Sequence, residues 1–336
     1  MSARPSIHHV RPSTPARWRM TLLAFALIAA ACGGSDSGGG PSQITLDWAY
    51  YNPVSLVLKD KGWVEEALAD QNISVNWVQS AGSNKALEFL NSGSVEFGST
   101  AGAAALLGKI GGSPITSVYT YSQPEWTALV SDGSSDIDSV EDLRGKRVAV
   151  TRGTDPYIFL LRALADHGLS ENDIEVVLLQ HADGRNALVA GQVDAWAGLD
   201  PMMAESELEQ GTRLFYRAPE LNTYGILNVA TEFAERHPDV VEAVIAAYER
   251  GRLWSLANPS ELASILAEAA GLSPEVAAAQ LARTDLTGPS LGDDEWESIL
   301  GAGVALQASG IIAEDVDVTA VLTDLFDRSF SSGLEG

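Results

Sequence analysis

The chain is poor in cysteine, histidine and positive charge, and each shortage removes a class of function. One cysteine in 336 residues allows no internal disulfide, so packed cores must carry the stability. That residue is Cys32, which leaves no thiol in the body of the chain to act as a nucleophile or metal ligand. Beyond the leader the histidines are His167, His181 and His237, with no shared spacing. No His-Glu-x-x-His run, Gly-x-Ser-x-Gly elbow or phosphate loop is present, which argues against the hydrolase and nucleotide-binding classes those motifs mark. Lysine and arginine total 21 against 45 acids, a formal net charge of −24. A chain this acidic is a poor partner for nucleic acid or an anionic membrane surface. No transmembrane segment or kinase module follows the leader, which argues against a membrane-embedded sensor.

The first residues differ from the rest. Residues 1–31 contain Arg4, Arg11, Arg17 and Arg19, no acid, and an uncharged apolar run from Met20 to Ala31. A basic start, a short apolar run and small residues at its end describe a secretory signal. The run is too short for a permanent bilayer span. Cys32 follows Ala29-Ala30-Ala31, an arrangement similar to a bacterial lipoprotein processing site, although Ala29 stands where leucine is commonest. The expectation is a lipoprotein signal peptide over 1–32 with Cys32 lipidated. The alternative is an ordinary signal peptide with an incidental thiol. The Gly/Ser stretch over 33–42 reads as a flexible tether. Roughly 290 residues remain, enough for two lobes.

The most informative stretch runs from Asp142 to Tyr157. Arg147 to Thr151 has a Val-Ala-Val centre and suits a short buried strand. Gly153-Thr154-Asp155-Pro156 follows, and then Tyr157, Ile158, Leu160, Leu161 and Leu164 recur at helical spacing. The pattern is strand, glycine turn and open helix N-terminus, which presents free N–H groups and the positive end of a dipole. Ligands of open α/β sheets bind at the carboxyl ends of strands.

The same unit recurs along the chain. Strands are predicted at 44–48, 73–78, 95–98 and 115–121, and helices at 54–68, 82–90 and 103–109. Small or polar turns at 49–53, 82–84 and 99–102 join strand to helix. A second block places strands at 126–130, 147–151, 174–179, 193–198, 214–216 and 223–230, with helices at 157–164, 183–190 and 200–210. From Thr231 onward only helices are predicted. Alternating strands and helices predict βαβ units and parallel sheets. The order implies two α/β lobes, with the helical tail packed back on the first lobe. The chain then crosses between lobes twice, near 122–126 and 219–228, and a cleft with a two-strand hinge results. The lobes are assigned as 43–124 plus 226–330, and 125–225.

Several segments together resemble a known family. They are Leu58-Lys-Asp-Lys-Gly-Trp63, Leu90-Asn-Ser-Gly-Ser-Val-Glu-Phe-Gly-Ser99, Ser139-Val-Glu-Asp-Leu-Arg-Gly-Lys-Arg-Val-Ala-Val150, Gly191-Gln-Val-Asp-Ala-Trp196, Asp200-Pro201 and Phe233-Ala-Glu-Arg-His-Pro-Asp-Val240. They are similar to the substrate-binding proteins of ABC importers in the aliphatic sulfonate, taurine and nitrate branch, most of all to sulfonate binders. The resemblance runs from about residue 44 to 330. It implies the periplasmic-binding-protein type II fold, no cofactor, no catalysis, a monomer, and the permease and ATPase subunits of an importer as partners.

The resemblance also implies where a solute lies: between the lobes, against the turns after the strands. By position these are Tyr51-Asn52, Ser99-Thr100-Ala101, Gly153-Thr154-Asp155, Asp200 and Asn222-Thr223-Tyr224. Hydroxyls and backbone amides there suit a sulfonate. Trp126 and Tyr224, at the crossings, are weighed as stacking residues against the commoner role of aromatics as core. Asp155 departs from the family pattern, which has a small or amide residue there. Either it caps the helix before Pro156, or the ligand carries an amine or is cationic, as in taurine-like zwitterions or thiamine-precursor pyrimidines. Enzymes of the menaquinone pathway share the fold and stand as the catalytic alternative.

Overall fold

The computed structural model describes residues 40–334. Cys32, the leader and most of the tether lie outside the described residues. The first block reads β1 (Gln43–Trp48), α1 (Pro53–Lys61), α2 (Trp63–Leu68), β2 (Ser74–Gln79), α3 (Ser83–Asn91), β3 (Phe97–Ala101), α4 (Gly102–Ile110) and β4 (Ile115–Pro124). The second reads β5 (Leu129–Asp132), β6 (Arg147–Val150), α5 (Asp155–Asp166), β7 (Glu175–Leu178), α6 (His181–Val189), β8 (Ala195–Ala197), α7 (Met202–Glu209) and β9 (Thr212–Tyr216). Strand β10 (Gly225–Ala230) then leads into α8 (Thr231–Arg236), α9 (Pro238–Ala257), α10 (Pro259–Ala270) and α11 (Pro274–Leu281). The chain ends with β11 (Thr284–Asp285), α12 (Asp293–Ala308) and α13 (Val318–Leu325).

Two sheets result. One has strand order β11-β4-β10-β3-β1-β2 and the other β7-β6-β8-β5-β9. Within each block neighbouring βαβ strands are parallel, as β1 with β2 and β6 with β7. The strands that follow a crossing run against their neighbours: β10 is antiparallel to β3 and β4, and β5 to β8 and β9. The sheets are therefore mixed, and the reversal follows from each sheet being entered from its far end.

The connectors are residues 125–128 and 217–224, the second containing a 3-10 turn at Pro219–Leu221. They are stapled to each other, because the Thr127 N–H donates to Asn222 Oδ1 at 2.9 Å. Pairing also moves one predicted boundary. Ser99, Thr100 and Ala101 were expected to form a turn, but Leu227, Ile226 and Gly225 of β10 pair with them and they continue β3. The predicted helix over 54–68 breaks into α1 and α2 at Gly62, whose φ of +67° favours glycine.

The tail packs mainly on the first sheet's helices, with α9 against α1 and α2, and α10 against α1. Two tail helices reach further. Helix α11 packs on α7, and α12 lies on both α4 and α5. Prolines open α9, α10 and α11, where the missing N–H removes no helix bond.

Candidate functional site

A cavity of about 410 Å³ lies between the two sheets. That volume is within the range of roughly 300–1,000 Å³ usual for small-molecule sites. Tyr50, Tyr51, Gln79 and Ser80, at the carboxyl ends of β1 and β2, form one wall. Gln180, His181, Arg185 and Asp200, after β7 and β8, form the opposite wall. The corner between α10 and α11, Ala270-Gly271-Leu272, supplies a third side. Beside it, a second space of about 10 Å³ is lined by Tyr51, Ser83, Trp126, Thr154, Asp155, Pro156 and Leu199. It is about what one water needs. Tyr51 and Leu199 line both spaces, so the two adjoin.

The floor on the first sheet is a buried polar network around Asp47. Ser99 donates to Asp47 Oδ1 from its N–H at 2.8 Å and its hydroxyl at 2.6 Å. Ser80 Oγ donates to Asp47 Oδ2 at 2.5 Å, and Tyr51 Oη lies 3.0 Å from Ser80 Oγ while donating to the Ser99 carbonyl at 2.9 Å. Burial pushes the Asp47 carboxyl up to about 6 against these bonds. Asp47 falls at a polar position of the alternating strand Ile44-Thr-Leu-Asp-Trp48, so nothing local in the sequence marked it as buried.

Asp155 ties the connectors to the second sheet. Trp126 Nε1 and the Thr223 N–H each donate to Oδ2 at 2.8 Å, and Thr223 Oγ1 donates to Oδ1 at 2.7 Å. Thr223 Oγ1 in turn accepts from the Ala103 N–H at 3.2 Å. One threonine thus links the N-termini of α4 and α5. Asp155 is the first residue of α5 and caps nothing; Thr154 holds the cap position, and its hydroxyl donates to the Thr151 carbonyl at 2.6 Å. Burial raises the Asp155 pKa, opposed by the Thr223 and Trp126 bonds. The expected repulsion of an anion is answered here by donors already aimed at the carboxylate.

The remaining predicted residues divide clearly. Tyr51 and Asp200 line the large space, and Tyr51, Trp126, Thr154 and Asp155 the small one. Trp126 meets Tyr51 edge to face at 5.8 Å. Ser99 and Thr100 are turned inward: Ser99 serves Asp47, and Asn228 Nδ2 donates to Thr100 Oγ1 at 2.8 Å. The Ala101 N–H donates to Ser83 Oγ at 3.0 Å. Asn52 caps α1 and donates to Ser99 Oγ at 3.1 Å, and Asn222 staples the connectors. These five, with Gly153 and Tyr224, line neither space. Gly153 has φ +77° and makes the turn into α5. Tyr224 is half-buried in the apolar core, and its carbonyl accepts the Gly102 N–H at 2.9 Å.

Sequence reasoning missed Gln79, Ser80, Gln180, His181 and Arg185. Helix α6 begins at His181, two residues before the predicted Asp183. No side chain caps its N-terminus, and Gln180, His181 and Ala182 at that end line the cavity. A Cβ at Gly184 would stand 2.8 Å from Trp196 Nε1, so glycine lets α6 lie close on the second core. The charged side chains of the wall are already paired. Arg185 pairs with Glu205, and Asp200 lies 3.5 Å from Arg283, which also binds Glu207. Burial still pushes Asp200 up to about 7, with Arg283 opposing. Among the described residues no cluster of His, Cys, Asp and Glu could hold a metal ion.

Two relatives share the name "Putative aliphatic sulfonates-binding protein". That of Escherichia coli (strain K12) is 30% identical over 77% of this chain and 80% of its own length. That of Bacillus subtilis (strain 168) is 25% identical over 82% of this chain and 85% of its own. Among solved structures, the alkanesulfonate-binding protein SsuA from Xanthomonas axonopodis pv. citri, bound to MOPS, superposes with a TM-score of 0.79 at 24% identity. That match covers 86% of this chain and 99% of the other, and it establishes a periplasmic-binding-protein fold with two α/β lobes. The profile of the NMT1/THI5-like family matches residues 55–262, more than half of the chain, and this protein belongs to that family.

Proposed function

We propose that this chain is the extracytoplasmic solute-binding component of an ABC importer and captures a small organic sulfonate between its lobes. The observation that carries the reading is the cavity of about 410 Å³, walled by both sheets and lined at one side by the uncapped N-terminus of α6. Helix N–H groups bind an oxyanion without a counter-charge, which suits a wall whose charges are paired with each other. The names of the relatives favour sulfonate among possible oxyanions. Closure on the solute presents the permease with one shape, and the solute needs only to favour that state.

The lobes are 43–124 with 226–330, and 125–225, moving about the connectors as a monomer. Lipidation of Cys32 holds the protein at the membrane, with residues 33–42 as tether. The role is capture without transformation. A nucleophile needs a base within hydrogen-bond reach, and neither ring nitrogen of the cavity's histidine has a partner.

A thermal-shift screen of alkanesulfonates, taurine, nitrate, amines and pyrimidines tests the solute. Stabilisation by sulfonates is expected; stabilisation by amines or pyrimidines alone overturns the sulfonate assignment. Cys32→Ser is expected to move the protein from the membrane fraction to the soluble extracytoplasmic fraction. Unchanged membrane retention overturns the anchor.

A further inference from the structure

Gln280 lies in the last turn of α11 and is 1% exposed. It does not line the cavity, but its Nε2 donates to the carbonyl of Tyr50, which does, at 2.7 Å. The other end of the amide, Oε1, is buried without a partner. On those terms the side chain does little for stability, because an unmet buried oxygen costs at least what one made bond returns. The bond it does make ends on the first wall of the cavity.

Tyr50 and Tyr51 both belong to that wall, and Tyr50 is half-buried. The peptide between them is planar. A hold on its carbonyl therefore fixes the whole plane, the Tyr51 N–H on the opposite edge, and the directions in which both side chains leave. The other contacts of the turn act elsewhere. The Asn52 N–H donates to the Ala49 carbonyl at 3.0 Å, the Tyr50 ring meets Trp48 edge to face at 5.6 Å, and the Tyr51 hydroxyl donates to the Ser99 carbonyl. Gln280 itself has a firm base. Its own carbonyl accepts the Arg283 N–H and the Thr284 hydroxyl, each at 3.0 Å, which closes α11 at that residue.

Resting on the reading that the cavity takes a small sulfonate, we propose that Gln280 is a positioning residue for the solute site: reaching from the tail, it sets the Tyr50–Tyr51 peptide and so the shape of the first wall, without touching the solute. Two measurements test it, calorimetric titration with ethanesulfonate and butanesulfonate, and hydrogen exchange at the Asn52 amide of the solute-free protein. Gln280→Leu keeps the bulk and removes the donor; it should weaken binding by about tenfold and speed that exchange. Gln280→Glu can donate only while its carboxyl is protonated. It should bind like the parent at pH 5 and fall behind the parent as pH rises to 8, a profile that packing alone would not produce. Circular dichroism checks that each variant is folded, and the near-isosteric Gln280→Glu carries the test if Gln280→Leu is not. Parent-like affinity and exchange in Gln280→Leu, or a Gln280→Glu that is weak at every pH, overturns the positioning role and leaves the sulfonate reading intact. Faster Asn52 exchange in a protein that binds neither sulfonate supports the positioning role and overturns the sulfonate reading.

Discussion

Asp155 receives three hydrogen bonds, from two residues on separate connectors: one from Trp126 and two from Thr223. Asp155→Ala leaves Trp126 Nε1, the Thr223 N–H and the Thr223 hydroxyl without their acceptor in a buried place. A loss of about 2–3 kcal/mol is expected in urea unfolding; a variant as stable as the parent would refute the tie. His181 carries a pH signature of its own. Burial holds the ring down at about 3 against an ordinary 6.5. As pH falls below 6.5 the unfolded chain takes the proton first, so this ring's share of stability, complete above 6.5, is lost toward 3. His181→Gln removes that share, and its unfolding free energy should fall less steeply with acid than the parent's; parallel pH curves would refute it. Asp200 runs the other way. Its folded value of about 7 against 3.8 means the native state holds the proton longer, so stability is lost as pH rises through that interval. Such roles were hard to read in the sequence. Asp155 was recognised as anomalous, but its partners stand 29 and 68 positions away.

Gly82 and α3 show how an element's start decides what its neighbour can do. Gly82 has φ +142°, and a Cβ there would press on the His181 ring, which comes from the opposite sheet's helix α6. Gly82→Ala should keep the two walls apart and weaken solute binding by about tenfold, beyond its backbone cost of about 1–3 kcal/mol. Calorimetry on the two proteins checks this, and equal affinities would exclude the contact as part of closure. Most elements were legible, because hydrophobic period and glycine turns are local signals: β6, the turn at Gly153 and α5 fall where the Asp142 to Tyr157 stretch placed them. The start of α6 was not, since Asp183 resembles a cap more than Gln180 does. The two-residue β11 lies below what a pattern can register. Ser99 and Thr100 looked like cleft hydroxyls because nothing local shows that Asp47 and Asn228 engage them.

At the scale of the molecule, the tail joins the two halves. Arg283, beside the connector, reaches Asp200 and Glu207 on the second sheet's side, and Ser273 Oγ donates to Glu209 Oε1 at 2.6 Å. Arg283→Met removes the guanidinium that bridges Asp200 and Glu207 to the tail, and so loosens the hold of the tail on the second sheet's side. The solute-free variant should show a larger radius of gyration in small-angle scattering and bind its solute more weakly; superimposable scattering curves would dismiss the latch. The succession of two α/β blocks and a helical end was readable from the order of strands and helices alone. That the end would reach across to α7 and α5 was not, because it depends on three-dimensional proximity and leaves no periodicity. The corner Ala270-Gly271-Leu272 belongs to neither sheet, yet it forms one side of the solute's chamber. Exchange of those three residues is therefore a route by which descendants of this protein, or engineers, can lengthen or shorten the cargo they accept while leaving both scaffolds and the pivot untouched.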